Sequence, residues 1–316
     1  MWSTSGIHSW TPVVFLYIND LPNTSKLLSF HFFADDTNIY CSSENLNDLE
    51  LILNQELNTV AEWMKSNRLA LSILKTNFVL FHFKRLKPYK SLNLKIDGVN
   101  IHEVSTVKYL GVTFNSNLTW KNHVNELCLK LSKTVGIFSK SRYYVNVDIL
   151  IMLYYSLIYP FLTYGIHVWG FTYPTYLKPV TTLQKRVVRT MTFSETRSHS
   201  EPLLKSLRLL KFSDIIHLEI LSFVYQWNHK LSPSCFVNYF NPVSSIHSYN
   251  TRQSQIDNLF VKSVHTTQYG IRSLGYTGPK LWNSVSIDVK KIKPFSSFRQ
   301  HIKNSLIDGY NTIIDS

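Results

Sequence analysis

The sequence predicts an α+β fold in which a strand-rich first part, up to about residue 115, precedes a mainly helical part. Three observations support this order. Short aromatic and β-branched runs alternate with turn signals in the first part. Apolar residues recur at helical spacing in the second part. The charge also changes along the chain, because residues 1–110 hold ten basic and ten acidic residues whereas residues 111–316 hold 23 basic and ten acidic ones, a net charge of +13.

Composition narrows the class of protein. The chain has 316 residues, 44% of them hydrophobic, which is enough for more than one core. Its three cysteines, Cys41, Cys128 and Cys235, are too far apart for a zinc motif or a disulfide framework. The apolar N-terminal stretch has neither a basic leader nor a small-residue cleavage site. These features predict a cytoplasmic or nuclear protein that is not secreted.

The first predicted element is a β-hairpin. The runs "LLSFHFF" and "TNIYCS" are both strand-forming, and they flank Ala34, Asp35 and Asp36. This arrangement puts two adjacent carboxylates at an exposed tip. Because adjacent carboxylates repel each other, a bound cation would stabilise them.

A helix and further strands complete the first part. The segment 44–69 has a stripe of apolar residues at helical spacing that predicts core packing, with Ser42 or Ser43 as the N-cap. Next come "TNFVLFHF" as a strand, "LNLKIDGVNI" as a hairpin with Asp97-Gly98 in its turn, and "VKYLGVTF" as another strand. The apolar stripe consists of Leu46, Leu49, Leu53, Leu57, Val60 and Met64.

The second part is predicted to be helical. Amphipathic helices are expected at residues 123–140, 181–191 and 218–231. Residues 149–177 contain no Asp, Glu, Lys or Arg, so one membrane segment is a minor alternative there. Pro160 interrupts this stretch and favours a buried helix followed by an aromatic loop instead. The excess positive charge predicts either a solvated surface or a surface that contacts nucleic-acid phosphates.

Several motifs resemble a known family when they are taken in order. "FADD" (33–36), "LKTNF" (74–78) and "KYLGV" (108–112) resemble motifs in the reverse transcriptases of non-LTR, LINE-type retrotransposons, especially jockey-like elements. Later segments are similar to the same group, namely "LYYSLIYPFLTYGIHVWG", "LQKRVVRTMTFS", "HSYNTRQ" and "GYTGPKLWNSV". The resemblance implies a partial polymerase palm at 1–115, a helical thumb-like region at 116–235 and a C-terminal region at 236–316.

The resemblance also implies roles for individual residues. Asp35 and Asp36 would bind catalytic Mg²⁺, with Phe33 in the aromatic position of the box. Lys75 would lie near the triphosphate of the incoming nucleotide, although an ordinary surface lysine at a strand start explains it as well. The primer grip would consist of Lys108, Tyr109, Leu110 and Gly111, and the nucleic-acid-binding cations would be Lys185, Arg186 and Arg189.

A complete polymerase of this family has more than these motifs. Its fingers and an earlier palm strand with another metal-binding aspartate would precede residue 1, and "SGIHSWTP" does not reproduce the "PQGS" segment of the family. A two-metal site needs carboxylates from separate strands. The sequence therefore predicts a polymerase fragment, inactive alone, whose partners are an RNA template, a DNA primer and, if it is active, a dNTP. Two alternatives stay open: a non-catalytic nucleic-acid-binding remnant and a non-functional relic of an open reading frame.

Overall fold

The chain divides into two compact units. The computed structural model describes residues 16–34, 36–83, 90–245 and 257–310. The first unit comprises Met1–Tyr109 and Phe114–Leu118, and the second comprises Leu110–Thr113 and Thr119–Ser316. Small two-stranded sheets and numerous helices confirm a mixed fold. The predicted division at residues 115 and 235 stays a prediction.

The predicted hairpin is present in the first unit. Strand β1 (Ser29–Phe33) pairs with the antiparallel strand β2 (Asp36–Tyr40). Residues alternate across β1, so that Phe30 and Phe32 pack inward while His31 faces solvent. The inward side chains contact a small buried cluster, which consists of Leu21, Leu28 and Val60.

Helix α1 (Leu46–Ser66) follows the hairpin and confirms the apolar stripe. Leu49, Leu57 and Val60 are buried along one face of the helix. The other stripe residues are half-buried and pack against the same clusters. Burial of this face, more than helix propensity, stabilises a helix of this length.

The predicted cap of α1 was wrong. Asn45 is the N-cap, and its Oδ1 accepts a hydrogen bond of 2.9 Å from the backbone N–H of Asn47. Ser43 instead accepts a bond from the backbone N–H of Asn45. Asparagine caps helices as well as serine does. The helix therefore begins at Leu46, the first residue of the apolar stripe.

Six further strands are short, and two of the predictions for them need correction. "TNFVLFHF" was predicted to be a strand throughout, but only its second and third residues pair, in parallel with a later strand. "VKYLGVTF" was predicted to be one strand, but a turn at Leu110-Gly111 splits it into two that pair with each other. The strands are β3 (Asn77–Phe78), β4 (Lys95–Ile96), β5 (Val99–Asn100), β6 (His102–Glu103), β7 (Thr106–Tyr109) and β8 (Val112–Asn115).

The predicted β4–β5 hairpin is confirmed. Ile96 lies opposite Val99, so Asp97 and Gly98 form a two-residue turn. Their φ angles are 52° and 76°. Two successive left-handed residues characterise the turn that matches the twist of paired strands, and Asp-Gly is a favoured sequence for it.

The second unit is helical, as predicted. The helix expected at 181–191 begins earlier, at Pro174, and the one expected at 218–231 begins at Phe212. The helices are α2 (Lys121–Ser141), α3 (Val147–Leu157), α4 (Tyr159–Thr163), α5 (Ile166–Trp169), α6 (Pro174–Met191), α7 (Ser200–Ser206), α8 (Phe212–Asn228), α9 (Leu274–Ser284), α10 (Ile287–Lys290) and α11 (Phe295–Asp308).

One continuous core runs through the second unit. Phe138, Trp169, Trp282 and Phe298 are each 0% exposed, and they come from four different helices. Trp169 stacks on Phe212 with the ring centroids 6.0 Å apart. The core therefore includes the last long helix as well as the first.

The charge-free stretch 149–177 is divided among helices α3 to α6. Pro160 and Pro174 each lie in the first turn of a helix, where a missing N–H leaves no broken bond. Gly165, with φ 62°, separates α4 from α5. Across the described parts of the chain, no helix is both long enough and apolar enough to cross a membrane.

Candidate active site

The tip of the β1–β2 hairpin is exposed to solvent. Phe33 and Asp36 lie opposite each other at the end of the ladder, and both side chains are exposed. Ala34 has φ 52°, a left-handed conformation of the kind found in two-residue hairpin turns. Asp35 lies outside the described residues. The described half of the predicted carboxylate pair, Asp36, is thus accessible to an ion.

Lys75 lies on a different element of the first unit. It ends a short 3₁₀ turn, Ile73–Lys75, and its backbone N–H donates to the carbonyl of Ser72 at 3.0 Å. Its side chain is exposed. Thr76 Oγ1 also donates to the Ser72 carbonyl, at 3.0 Å. These bonds fix the backbone at the start of β3 and leave the Lys75 ammonium facing solvent.

The predicted primer-grip residues lie in the β7–β8 hairpin. Lys108 is exposed and Tyr109 is half-buried. Leu110 and Gly111 form the turn, with φ angles of 45° and 77°. Asp36 and Lys108 belong to separate two-stranded sheets, so the ladder hydrogen bonds do not link the two positions directly.

Tyr164 holds the tip of this hairpin within the second unit. Its hydroxyl donates to the Leu110 carbonyl at 2.6 Å. A Cβ added at Gly111 would lie 3.3 Å from Tyr164 Cε1. The resemblance assigns Gly111 to the primer grip. The close neighbour in this structure is the tyrosine ring.

A cavity of about 270 Å³ lies beside this turn. Thr113 organises one wall, because its N–H donates to His123 Nδ1 at 3.3 Å and its hydroxyl donates to Glu126 Oε2 at 2.9 Å. The first bond leaves the ring proton of a neutral His123 on Nε2. The lining residues are Gly111, His123, Glu126, Leu127, Lys130, Pro160, Phe161 and Tyr164.

The three predicted nucleic-acid-binding cations lie on helix α6. Arg186 is exposed, whereas Lys185 and Arg189 are half-buried. Arg189 Nε donates to the Ser198 carbonyl at 2.9 Å. Part of the Arg189 guanidinium is therefore used within the protein, and Arg186 is the most accessible of the three.

Some of the positive charge counted from the sequence is internal to the second unit. Lys290 is 2% exposed, and its Nζ donates to Asn258 Oδ1 at 2.9 Å. Burial lowers the pKa of Lys290. The Arg272 guanidinium donates to the Thr172 carbonyl at 2.8 Å and stacks over the Tyr173 ring. Both cations therefore make hydrogen bonds within the protein.

A third internal cation is part of a polar network. Arg299 donates to both carboxylate oxygens of Glu219 and to Ser222 Oγ. The Tyr159 hydroxyl donates to Glu219 Oε1 at 3.1 Å. Burial, reinforced by the Glu219 carboxylate, raises the pKa of Tyr159 to about 12. The network joins helices α4, α8 and α11.

Sequence reasoning missed the residues that support the β7–β8 turn. Tyr164 and Glu126 were not singled out, because neither belongs to a motif with a recognisable spacing. Gly165, directly after Tyr164, is a sequence signal that could have predicted the end of a helix at this position, because glycine favours a change in the direction of the chain. The segment "HSYNTRQ" (247–253) lies outside the described residues.

No metal centre of three or more His, Cys, Asp or Glu side chains is present within residues 16–34, 36–83, 90–245 and 257–310. The exposed Asp36 carboxylate is a hard oxygen donor of the kind that Mg²⁺ prefers. One carboxylate is fewer than this six-coordinate ion needs. The exposed Asp36 side chain fits such an ion as one of its oxygen ligands.

Part of the chain is similar to a known protein family. Residues 11–114 match the model of the family described as reverse transcriptase (RNA-dependent DNA polymerase). The matched range contains the β1–β2 hairpin, helix α1, Lys75 and the β7–β8 turn. No solved structure matches the chain.

Three similar proteins come from Drosophila melanogaster. The "Probable RNA-directed DNA polymerase from transposon X-element" is 26% identical over 210 residues, 64% of this chain and 23% of that protein. The "Probable RNA-directed DNA polymerase from transposon BS" is 26% identical over 163 residues, which cover 51% of this chain and 18% of that protein. The "RNA-directed DNA polymerase from mobile element jockey" is 23% identical over 186 residues, which cover 58% of this chain and 20% of that protein. This chain spans about a fifth of the length of these curated relatives.

Proposed function

We propose a function for this chain from one premise: it is related in sequence to the reverse transcriptases of LINE-type mobile elements. The proposed role is that of part of an RNA-directed DNA polymerase, which extends a DNA primer along an RNA template with dNTPs. The observation that carries the proposal is the "FADD" hairpin, which lies inside the matched range and has Asp36 exposed at its tip.

In this proposal, Asp35 and Asp36 bind Mg²⁺. The bound ions would lower the pKa of the primer 3′-hydroxyl and stabilise the charge on the leaving pyrophosphate. In this role the protein would present the two acidic side chains at the tip of the β1–β2 hairpin. The inward-facing Phe30 and Phe32 anchor that hairpin on α1 and its neighbours.

Two cationic positions are further parts of the proposed active site. Lys75, exposed at the start of β3, would neutralise charge on the triphosphate. Lys108, exposed on β7, would contact the primer backbone beside the turn formed by Leu110 and Gly111. The accessibility of both ammonium groups supports these roles.

We also propose that this chain, tested alone, binds nucleic acid without extending a primer. A two-metal site needs carboxylates contributed by separate strands, since adjacent residues at one hairpin tip cannot enclose both ions. The hairpin supplies one such contribution. The exposed Arg186 and the net charge of +13 in residues 111–316 support nucleic-acid binding.

Primer extension on an RNA template with Mg²⁺ tests the proposal, alongside Mn²⁺ binding measured by electron paramagnetic resonance. The variants are Asp35→Asn and a matched control, Asp97→Asn, which changes the aspartate of the other hairpin turn in the first unit. We expect no extension by the unmodified chain, and Mn²⁺ binding that Asp35→Asn weakens and Asp97→Asn does not.

Two outcomes would change this conclusion. Extension that is lost in Asp35→Asn would show that the chain carries a complete active site. Equal Mn²⁺ binding by all three proteins would remove the metal role of the hairpin. The second candidate, a nucleic-acid-binding module without chemistry, is favoured by the same charge distribution. It predicts duplex binding that survives Asp35→Asn and falls at least about tenfold between 50 and 200 mM salt.

A further inference from the structure

An exposed aromatic cluster lies where the chain leaves helices α2 and α6. It consists of Arg142, Tyr143 and Phe193. The Arg142 guanidinium carbon lies 4.7 Å from the Tyr143 ring centroid and 4.6 Å from that of Phe193. The two rings meet edge to face, with centroids 5.6 Å apart. We call this group the Arg142 cluster.

Both rings of the cluster are open to solvent. Tyr143 is 65% exposed and Phe193 is 55% exposed, and the adjacent Tyr144 is 87% exposed. Isolated exposed aromatic residues are common, but three at one place form an apolar patch that water solvates poorly. The arginine covers part of each ring and leaves the remainder accessible to a planar ligand.

The backbone at Phe193 is informative. Its φ of 53° is left-handed, and the N–H of Ser194 donates to the Arg189 carbonyl at 3.0 Å. This bond defines a helix C-terminal motif in which the left-handed position is usually glycine. A large aromatic residue there is strained and also exposed. Arg68, Arg208 and Lys230 occupy the same left-handed position at other helix ends. The feature that distinguishes Phe193 is therefore its exposed aromatic ring.

The charge around the cluster limits the choice of ligand. Arg142 is flanked in sequence by Lys140, and the loop after Phe193 contains Arg197 together with one acidic residue, Glu195. Arg186, one turn of helix before the end of α6, is exposed. Cations beside accessible aromatic faces suit a ligand that has both phosphates and planar rings.

We propose that the Arg142 cluster is a stacking site for an unpaired base of single-stranded nucleic acid. The base stacks on the exposed part of Phe193 or Tyr143, and the neighbouring phosphate binds the part of the Arg142 guanidinium that its hydrogen bond to the Tyr143 hydroxyl leaves accessible. This inference rests on the proposed function only in taking nucleic acid as the ligand. It concerns a site remote in sequence from the "FADD" hairpin, and base stacking is independent of catalysis.

Phe193→Gly is the decisive variant. Glycine is favoured at a left-handed position, so thermal stability should be unchanged or higher, while the stacking surface is lost. We expect fluorescence anisotropy to show about tenfold weaker binding of a labelled single-stranded oligonucleotide. The affinity for a fully paired duplex of the same length should change less than twofold. Phe193→Trp should restore single-strand binding.

A second readout detects stacking directly. An oligonucleotide that contains 2-aminopurine should lose fluorescence on binding to the unmodified chain, and this quenching should be absent with Phe193→Gly. Tyr239→Ala, at an exposed tyrosine elsewhere in the second unit, is the matched control and should leave both signals unchanged.

The outcomes distinguish this inference from the proposed function. Unchanged single-strand binding by Phe193→Gly, or an equal loss on duplex, would overturn the stacking site even if the chain extends primers. A change of oligomeric state in Phe193→Gly without nucleic acid would overturn it as well and assign the cluster to a protein interface. Phe193-dependent quenching by a chain that never extends a primer supports the stacking site by itself.

Discussion

The two units of this protein are stabilised in different ways. The first unit has short strands in separate two-stranded sheets, packed against one long helix and around small clusters of buried side chains. The second has a single core to which several helices contribute. Hydrogen bonds between polar side chains also join these helices. The described aspartate of the "FADD" motif, Asp36, is exposed, whereas several cations of the second unit are buried or partly buried and hydrogen-bonded within the protein. Contacts between residues close in sequence thus account for much of the first unit, whereas the core and polar contacts of the second join residues far apart in sequence.

The strongest test of this difference is the removal of a central side chain. Trp169 is fully buried, stacks on Phe212, and donates its indole N–H to the Tyr164 carbonyl at 2.9 Å. Trp169→Ala should lower the free energy of unfolding of the second unit by about 3–5 kcal/mol. Urea denaturation followed by near-ultraviolet circular dichroism measures it. Trp63→Ala, at a half-buried tryptophan of the first unit, is the control and should cost less.

The buried ion pair gives the next largest effect. Glu219→Gln leaves the Arg299 guanidinium with a neutral partner in a partly buried position. We expect a loss of about 2 kcal/mol in the free energy of unfolding. A double-mutant cycle with Arg299→Gln, measured by urea denaturation, isolates the pair energy. Additive losses from the two changes would show that the pair contributes no coupling.

The two glycine turns allow a direct comparison of the units. Gly98 and Gly111 have φ angles of 76° and 77°. A Cβ at Gly98 would meet nothing within 4 Å, whereas at Gly111 it would lie 3.3 Å from Tyr164. Gly98→Ala should cost about 1 kcal/mol from backbone strain alone, and Gly111→Ala somewhat more. Equal losses in thermal denaturation would mean that Tyr164 moves aside at no cost.

Alkaline pH should affect the second unit with little change at neutral pH. The pKa of Tyr159 is about 12 in the folded protein against a usual value of 10, so the folded state holds this proton more tightly. Its contribution to stability is complete below pH 10 and disappears as the pH rises to about 12. Urea titrations between pH 9 and pH 12 measure the loss. Tyr159→Phe should show a shallower decline, and an identical decline would assign it to other tyrosines.

Local patterns were sufficient for much of the first unit. Alternation predicted the β1–β2 hairpin, Asp97-Gly98 predicted a turn, and the leucine stripe predicted α1, because each signal lies within a few residues of the structure that it specifies. Two strand predictions failed. Only Asn77 and Phe78 of "TNFVLFHF" pair, and "VKYLGVTF" is split by a turn in which Leu110 adopts a left-handed conformation that leucine rarely takes. The turn depends there on Gly111 and on a tyrosine more than fifty residues away.

The second unit was predictable only as a set of helices. Net charge gave no indication that Lys290, Arg272 and Arg299 are hydrogen-bonded within the protein, since their partners are distant in sequence. The Arg142 cluster was equally difficult to foresee. Arg142 and Tyr143 are neighbours in sequence, but Phe193 joins them only because α2 and α6 end close together.

The network around Arg299 has a consequence for synthesis on the ribosome. Arg299 and Tyr159 are separated by 140 positions in sequence, and Tyr310 donates its hydroxyl proton to Asp214 across 96 positions. In the first unit, the ion pair between Lys65 and Asp97 spans only 32 positions in sequence. At translation rates of about 5–20 residues per second, the helices that contain Tyr159 and Glu219 wait roughly 4–30 s for their last partners. During that interval, water or chaperones must satisfy the polar groups of these helices. The hairpins of the first unit can fold before the second unit is complete.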